Sequence, residues 1–292
     1  MDNSKRRERE RLASITWGIA PISRVDEFFQ HLRTLVGDAV RQGATIVLLP
    51  ELFETELLKT MPDGPTNQVA EKLVPFAQVI DDELSALART HKVTVVGGSY
   101  LRQGQEGVVN VATIATPTGD LHFQPKNCRT QWEISPWGLQ QRLGLRKFPD
   151  SRLGVLVCYD SEFPEATRAL AEAGTQLLCV PSYTESQHGY QRVNWSCRAR
   201  AIENEIFVAQ ACVVGEIECF GLGTGYGQSS IIAPSKDPFP ASAILAESPL
   251  NQEGIAVADV DFMALAECRA TGDARPWSDR HLAPWTFEDS QQ

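Results

Sequence analysis

Leu153-Gly154-Val155-Leu156-Val157-Cys158-Tyr159-Asp160-Ser161-Glu162-Phe163-Pro164-Glu165 changes character at Cys158. The residues before it form an apolar run rich in β-branched side chains, which reads as a buried strand. After it the apolar run breaks. Pro164 stands where the first turn of a helix tolerates a residue without an N–H, and Gly174 marks that helix's far end. A cysteine therefore sits at a strand-to-helix turn, where ligand sites of open α/β sheets collect.

The same unit recurs on both sides. Upstream, Thr45 to Leu49 is a short buried strand stopped by Pro50. Before it, Val25, Phe28, Phe29, Leu32, Val36 and Ala39 recur at helical spacing, with Ser23 as cap, Asp26 three residues on and Gly43 as the close. Ser14 to Ala20 predicts a first strand. Asp81 to Thr90 predicts a helix, and Val93 to Val96 a strand ending at Gly97-Gly98. Val109 to Ala115 and Leu121 to Phe123 predict a hairpin around Pro117 to Asp120. Downstream, Gln176 to Val180 is a strand stopped by Pro181, and Gln191 to Asn204 a helix with Val193, Cys197 and Ala201 on one face. Ile206 to Val214, Ser229 to Ala233 and Ile255 to Val260 complete the strands. This alternation predicts an α/β fold with covered sheets. No linker-like stretch divides the chain, so one domain is expected over residues 1–292, with a core of about 13–262 and a polar C-terminal tail of about 268–292. Pro62 to Pro75 and Ser135 to Arg152 are expected as long irregular loops of the kind that shape a site.

Hydrophobic residues make up 42 % of the 292, enough for a sizeable core. The net charge of −10 argues against nucleic acid as a partner. The basic run Lys5 to Arg11 is interrupted by Glu8 and Glu10 and reads as a solvated tail. No apolar run has the ~18 residues of a membrane span, and the N-terminus lacks the apolar segment of a signal peptide; a cytoplasmic protein is expected. The seven cysteines, at 128, 158, 179, 197, 212, 219 and 268, form no C-x-x-C pair and are expected as thiols. The five histidines are isolated, so no metal and no cofactor is expected. Ser182, Ser229 and Ser230 sit in no G-x-S-x-G elbow.

Three residues end a strand or hairpin: Glu51 after Leu48-Leu49-Pro50, Lys126 after Phe123-Gln124-Pro125, and Cys158. Read singly, they are a loop carboxylate, a solvated amine and a core thiol. Read together, the chain resembles the nitrilase superfamily of carbon–nitrogen hydrolases, in which Glu, Lys and Cys follow in that order. The resemblance rests on Leu48 to Phe53, on Pro125-Lys126 with Glu133 seven residues on, and on Cys158 to Glu165. It extends to Arg198-Ala199-Arg200-Ala201-Ile202-Glu203-Asn204 and to Gly227 to Pro234, covering roughly Ala13 to Phe262.

The residue types suit one chemistry. A free thiol is mostly protonated near neutral pH, with a pKa of ~8.5, so a neighbouring carboxylate must take its proton. The turn at Cys158 is expected to favour a thiolate. Lys126 and the Tyr159 N–H are candidate donors to the oxyanion of an attacked amide. With Tyr159, the residues Phe53, Ser182 and Tyr183 are candidates for oxyanion or substrate binding. The resemblance implies that Glu133 positions the substrate and Lys126, that the fold is a four-layer αββα sandwich, and that the protein forms a homodimer or larger homo-oligomer. It implies a small-molecule amide substrate, since Tyr159-Asp160 follows the nucleophile where nitrile-cleaving members more often have Trp-Glu. Arg129 could meet an acidic substrate group or face solvent; Cys128 reads as structural. The alternatives are nitrile hydrolysis, Cys-dependent N-acyl transfer, whose members usually carry extra domains, and a catalytically idle assembly scaffold. An isochorismatase-like hydrolase would have Asp where Glu51 stands.

Overall fold

The structure, a computed structural model, describes residues 8–150 and 152–282. In chain order its elements are β1 (Arg9–Gly18), α1 (Val25–Arg41), β2 (Ile46–Leu48), α2 (Val69–Leu73), α3 (Ala77–His91), β3 (Thr94–Gln103), β4 (Val108–Ala115) and β5 (Leu121–Pro125). Then follow α4 (Gln131–Ile134), β6 (Leu153–Val155), α5 (Pro164–Glu172), β7 (Leu177–Ser182), α6 (Gln187–Asn204) and β8 (Phe207–Glu216). The last are β9 (Thr224–Gly225), β10 (Ser230–Ile232), β11 (Ile244–Glu247), β12 (Gly254–Asp261), α7 (Phe262–Ala270) and α8 (Pro276–Asp279).

Side-chain alternation divides these strands between two cores. In β1 and β2, Ala13, Ile15, Val47 and Leu49 point to one side, where they meet Phe28, Phe29, Leu32, Val36 and Ala39 of α1 and Ile80, Leu84, Leu87 and Ala88 of α3. Their neighbours Leu12, Ile46 and Leu48 point the other way, into a core shared with β6, β7 and β8 and with Val193, Cys197 and Ala201 of α6. The period of two along a strand thus buries both faces of the first sheet. That sheet runs β12-β1-β2-β3-β4-β5. The second runs β6-β7-β8-β10-β11. They are stitched where Trp17–Gly18 of β1 pairs with Val213–Val214 of β8. The result is the four-layer αββα sandwich.

The structure differs from the sequence reading at several places. The first strand begins at Arg9, so Arg9 and Arg11 are not tail: they pair with Asp261 at 2.8 Å and Asp259 at 3.0 Å on β12. The rest of the basic run, Lys5 to Arg7, lies outside the described residues. Gly97-Gly98 does not end a strand, because β3 passes through it on a register shift between Val96 and Ser99. Gly98, at φ +64°, is the residue that permits this: a Cβ there would lie 1.9 Å from the Pro50 carbonyl oxygen. Nor does Pro181 stop β7. Its missing N–H is harmless because β6 ends opposite Cys179, two residues earlier. Residues 62–75 are not irregular; they hold α2 and short 3-10 turns. Ser135 to Asp150 does remain without helix or strand. The expected tail starts inside α7, which buries Leu265 and Cys268, and α8 follows; residues 283–292 lie outside the described part. No helix of the described residues is long and apolar enough to cross a membrane.

The chain after Glu51 is a 3-10 segment, Phe53–Thr60, anchored by one carboxylate. Glu56 is fully buried and accepts the Trp17 indole N–H at 2.5 Å. It also meets His31 at 3.1 Å, and the other ring nitrogen of His31 meets Glu253 at 2.7 Å. Burial alone would depress the imidazole, but the two carboxylates outweigh it and raise its pKa to about 9. A histidine raised above its unfolded value adds stability that is complete below about pH 6.5 and is lost as pH climbs through about 9, by up to about 3 kcal/mol. The thermal midpoint is therefore expected to fall between pH 7 and pH 10, and His31→Gln to lose most of that slope. An equal slope in the variant would remove His31 from the anchor.

Candidate active site

Glu51, Lys126, Glu133 and Cys158 converge on one cavity of about 300 Å³, together with Tyr159 and Tyr183. Each arrives from the end of an element. Glu51 follows β2 and bridges to Ser99 on β3, while the Leu52 N–H donates to the Ser99 carbonyl at 2.6 Å. Lys126 follows β5, and its N–H donates to the Asn110 carbonyl on β4 at 2.9 Å. Glu133 lies in α4, which Thr130 caps in a reciprocal box with it. Cys158 follows β6 with φ +47°, in the left-handed region. A non-glycine residue held there stores about 1–2 kcal/mol and turns its side chain out of the strand's path.

The Lys126 ammonium donates to Glu51 Oε1 at 2.8 Å and to Glu133 Oε2 at 2.7 Å. The Asn110 amide bridges the same carboxylates, donating to Glu51 Oε1 and Glu133 Oε1 at 3.0 Å each. Glu51 Oε2 accepts the Tyr183 backbone N–H at 3.0 Å, and Cys158 Sγ lies 3.8 Å from the Tyr183 carbonyl oxygen. All three ionisable partners of Cys158 are at most 5 % exposed.

Burial decides the charge states. It pushes Glu51 above the usual carboxylate range; Lys126 pulls the other way, and the charge of Glu133 adds to the rise. A carboxylate so raised is a stronger base. Burial also opposes the charge of Lys126, but Glu51 and Glu133 outweigh it and hold the ammonium well above its ordinary pKa. Burial would raise Glu133 too; there Lys126, the Thr130 N–H and Asn110 prevail and keep it ionised. For Cys158, burial and then Glu51 push the thiol well above its usual value. Burial beside a carboxylate outweighs the turn's pull toward a thiolate, so the thiol needs Glu51 to take its proton, as the residue types led one to expect.

Of the other expected site residues, Tyr159 and Tyr183 border the cavity. Phe53 does not: it is fully buried against Trp17, Phe28 and Tyr100, because the turn at Leu52 sends it into the first core. Ser182 does not either; it is the last residue of β7, fully buried, its hydroxyl donating to the Val180 carbonyl at 3.3 Å. Arg129 is spent on the Leu139 carbonyl at 2.5 Å and does not line the cavity. Sequence reasoning missed Asn110, which lies inside a strand pattern and carries no motif. It read Tyr159-Asp160 as a pair favouring amides and gave Asp160 no structural part. Its carboxylate accepts the Asn127 N–H at 3.1 Å and the Cys128 N–H at 2.7 Å, tying the loop after Lys126 to the nucleophile's turn. Among the described residues no group of three or more His, Cys, Asp or Glu could hold a metal ion.

The family model described as carbon-nitrogen hydrolase matches residues 11–270. The chain is 28 % identical over 273 residues to a probable hydrolase of Bacillus subtilis, covering 92 % of this chain and 53 % of that protein. It thus spans about half the length of this relative. It is 27 % identical over 248 residues to an omega-amidase of Danio rerio, covering 81 % of this chain and 83 % of the relative. The crystal structure of Nit3 from Saccharomyces cerevisiae, a member of the nitrilase superfamily, superposes with a TM-score of 0.72 at 21 % identity, over 90 % of this chain and 93 % of that one.

Proposed function

Because the chain belongs to the carbon–nitrogen hydrolase family, we propose that it cleaves the amide C–N bond of a small molecule through a thioester on Cys158. The observation that carries this reading is the meeting of Glu51, Lys126 and Glu133 over a nucleophile turned into their cavity. Glu51 takes the thiol proton as Cys158 Sγ bonds to the amide carbon. The Lys126 ammonium and the Tyr159 N–H face the resulting oxyanion. As the tetrahedral adduct collapses, Glu51 passes its proton to the leaving amine, and the acyl group stays on sulfur. Glu51 then deprotonates a water that attacks the thioester, releasing the acid and restoring the thiol. Glu133 keeps Lys126 charged and Glu51 basic throughout.

Incubation with an amide panel should release ammonia or amine. Rapid quenching and peptide mass analysis should then show an acyl mass on the Cys158 peptide. An adduct on Cys128 instead, or turnover with no adduct on any cysteine, rejects the assignment.

Residues 1–292 are read as one hydrolase domain acting in the cytoplasm, and as a homodimer or larger. The outer face of α6 supports the last point: Trp195 is 66 % exposed and Ile202 44 %. Light scattering at micromolar concentration tests it; a monomeric mass would remove the oligomer.

A further inference from the structure

The charged residues that line the cavity do not balance. Four carboxylates border it, Glu51, Glu133, Glu162 and Glu185, against two cations, Lys126 and Arg192. Neither cation is free. Lys126 is held between Glu51 and Glu133. Arg192, at the mouth, donates from Nε to both oxygens of Glu162 at 2.9 Å. Arg129 lies outside the lining. Glu185 differs from the other three: the partner seen for it is one backbone N–H, that of Gly223 at 3.2 Å. It stands directly before Ser186, whose hydroxyl closes the first turn of α6 by accepting the Gly189 N–H at 3.1 Å. The wall also carries four aromatic rings, Trp132, Trp137, Tyr159 and Tyr183.

A carboxylate on the substrate would meet no uncommitted cation here and would face Glu185, which has no cationic partner among the described residues. An ammonium would meet a carboxylate without a cationic partner and a wall carrying aromatic rings, whose faces attract cations. Resting on the hydrolase reading above, we infer that the substrate is an amide whose other end carries a positive charge, read by Glu185 at the mouth. Omega-amides of dicarboxylic acids are disfavoured. The chemistry at Cys158 is unchanged by this; Glu185 acts on which amide reaches it.

Three amides of similar length test the inference: 4-aminobutyramide (cationic), butyramide (neutral) and succinamate (anionic). At low ionic strength kcat/KM is expected to fall in that order, by at least about tenfold between the ends, and the spread to shrink as salt reaches about 0.5 M. Glu185→Gln should cut the cationic-to-anionic ratio about fivefold, the size of one partly exposed ion pair. A flat or reversed order overturns the inference. So does a Glu185→Gln variant that only loses thermal stability while the ratio stands, since that is the behaviour of a residue serving the α6 terminus alone. The burst of p-nitrophenol from the neutral ester p-nitrophenyl acetate, read on the same preparations, separates the two readings. A burst with a flat order removes charge selection and leaves the hydrolase; no burst and no amide cleaved removes both.

Discussion

Cys158→Ala is expected to lower turnover by a factor on the order of 10⁴ or more, because no other thiol lines the cavity to carry the acyl intermediate. Cys128 does not line the cavity, and burial together with Asp160 raises its thiol above the usual range. The fold should survive. The thiol is part of the second core but small, so replacing it with a methyl group costs about 1 kcal/mol. Steady-state kinetics on a variant shown to be folded by circular dichroism makes the measurement. Retention of even a tenth of the activity would move the nucleophile elsewhere.

Glu133→Gln is expected to reduce kcat/KM by roughly 10². The reason is electrostatic and has two parts. Oε2 of Glu133 accepts from Lys126 and from the Thr130 N–H, and Oε1 from Asn110. A glutamine in either orientation sets an NH₂ against one of these donors. Loss of the charge also withdraws one of the influences that raise Glu51, so the base becomes weaker. The limb of the pH profile that follows Glu51 should therefore move to lower pH. Read from sequence alone, this change should leave the thermal midpoint nearly untouched. At 2 % exposure that does not hold: stripping one charge from a buried ion cluster costs about 3 kcal/mol, and the midpoint should drop accordingly. Near wild-type kcat/KM with an unmoved limb would make Glu133 purely structural.

The strand-and-helix alternation, and with it the two covered sheets, was legible because buried strands and amphipathic helices carry the period of their burial. Residues Val25 to Ala39 show this: the apolar positions read as a helix face are the ones packed in the first core. Glu51, Lys126 and Cys158 were legible as a set because each follows a β run and because their order resembles one superfamily. What failed was punctuation. Gly97-Gly98 and Pro181 look like strand stops, yet one makes room for Pro50 and the other lies beyond the end of a neighbouring strand. Neither fact exists until distant segments meet. The same holds for Phe53, two residues from Glu51 but turned away by the left-handed Leu52, and for Asn110, whose amide matters only because two carboxylates arrive from elsewhere. The turn's pull toward a thiolate was legible locally; the burial that opposes it comes from remote residues.

The stitch between β1 and β8 has a consequence for the life of the chain during synthesis. Glu51 and Lys126 issue from the first sheet, Cys158 and Tyr183 from the second. Every element bearing Glu51, Lys126 and Cys158 has been made by residue 158, yet the strand that fastens the second sheet to the first comes only with Val213–Val214. A nascent chain short of that point owns all the reactive groups but lacks the strand pairing that joins the two sheets. That pairing, between residues almost 200 positions apart, belongs to the slow class of folding events. The site is thus completed by a contact that the ribosome delivers well after the residues that react.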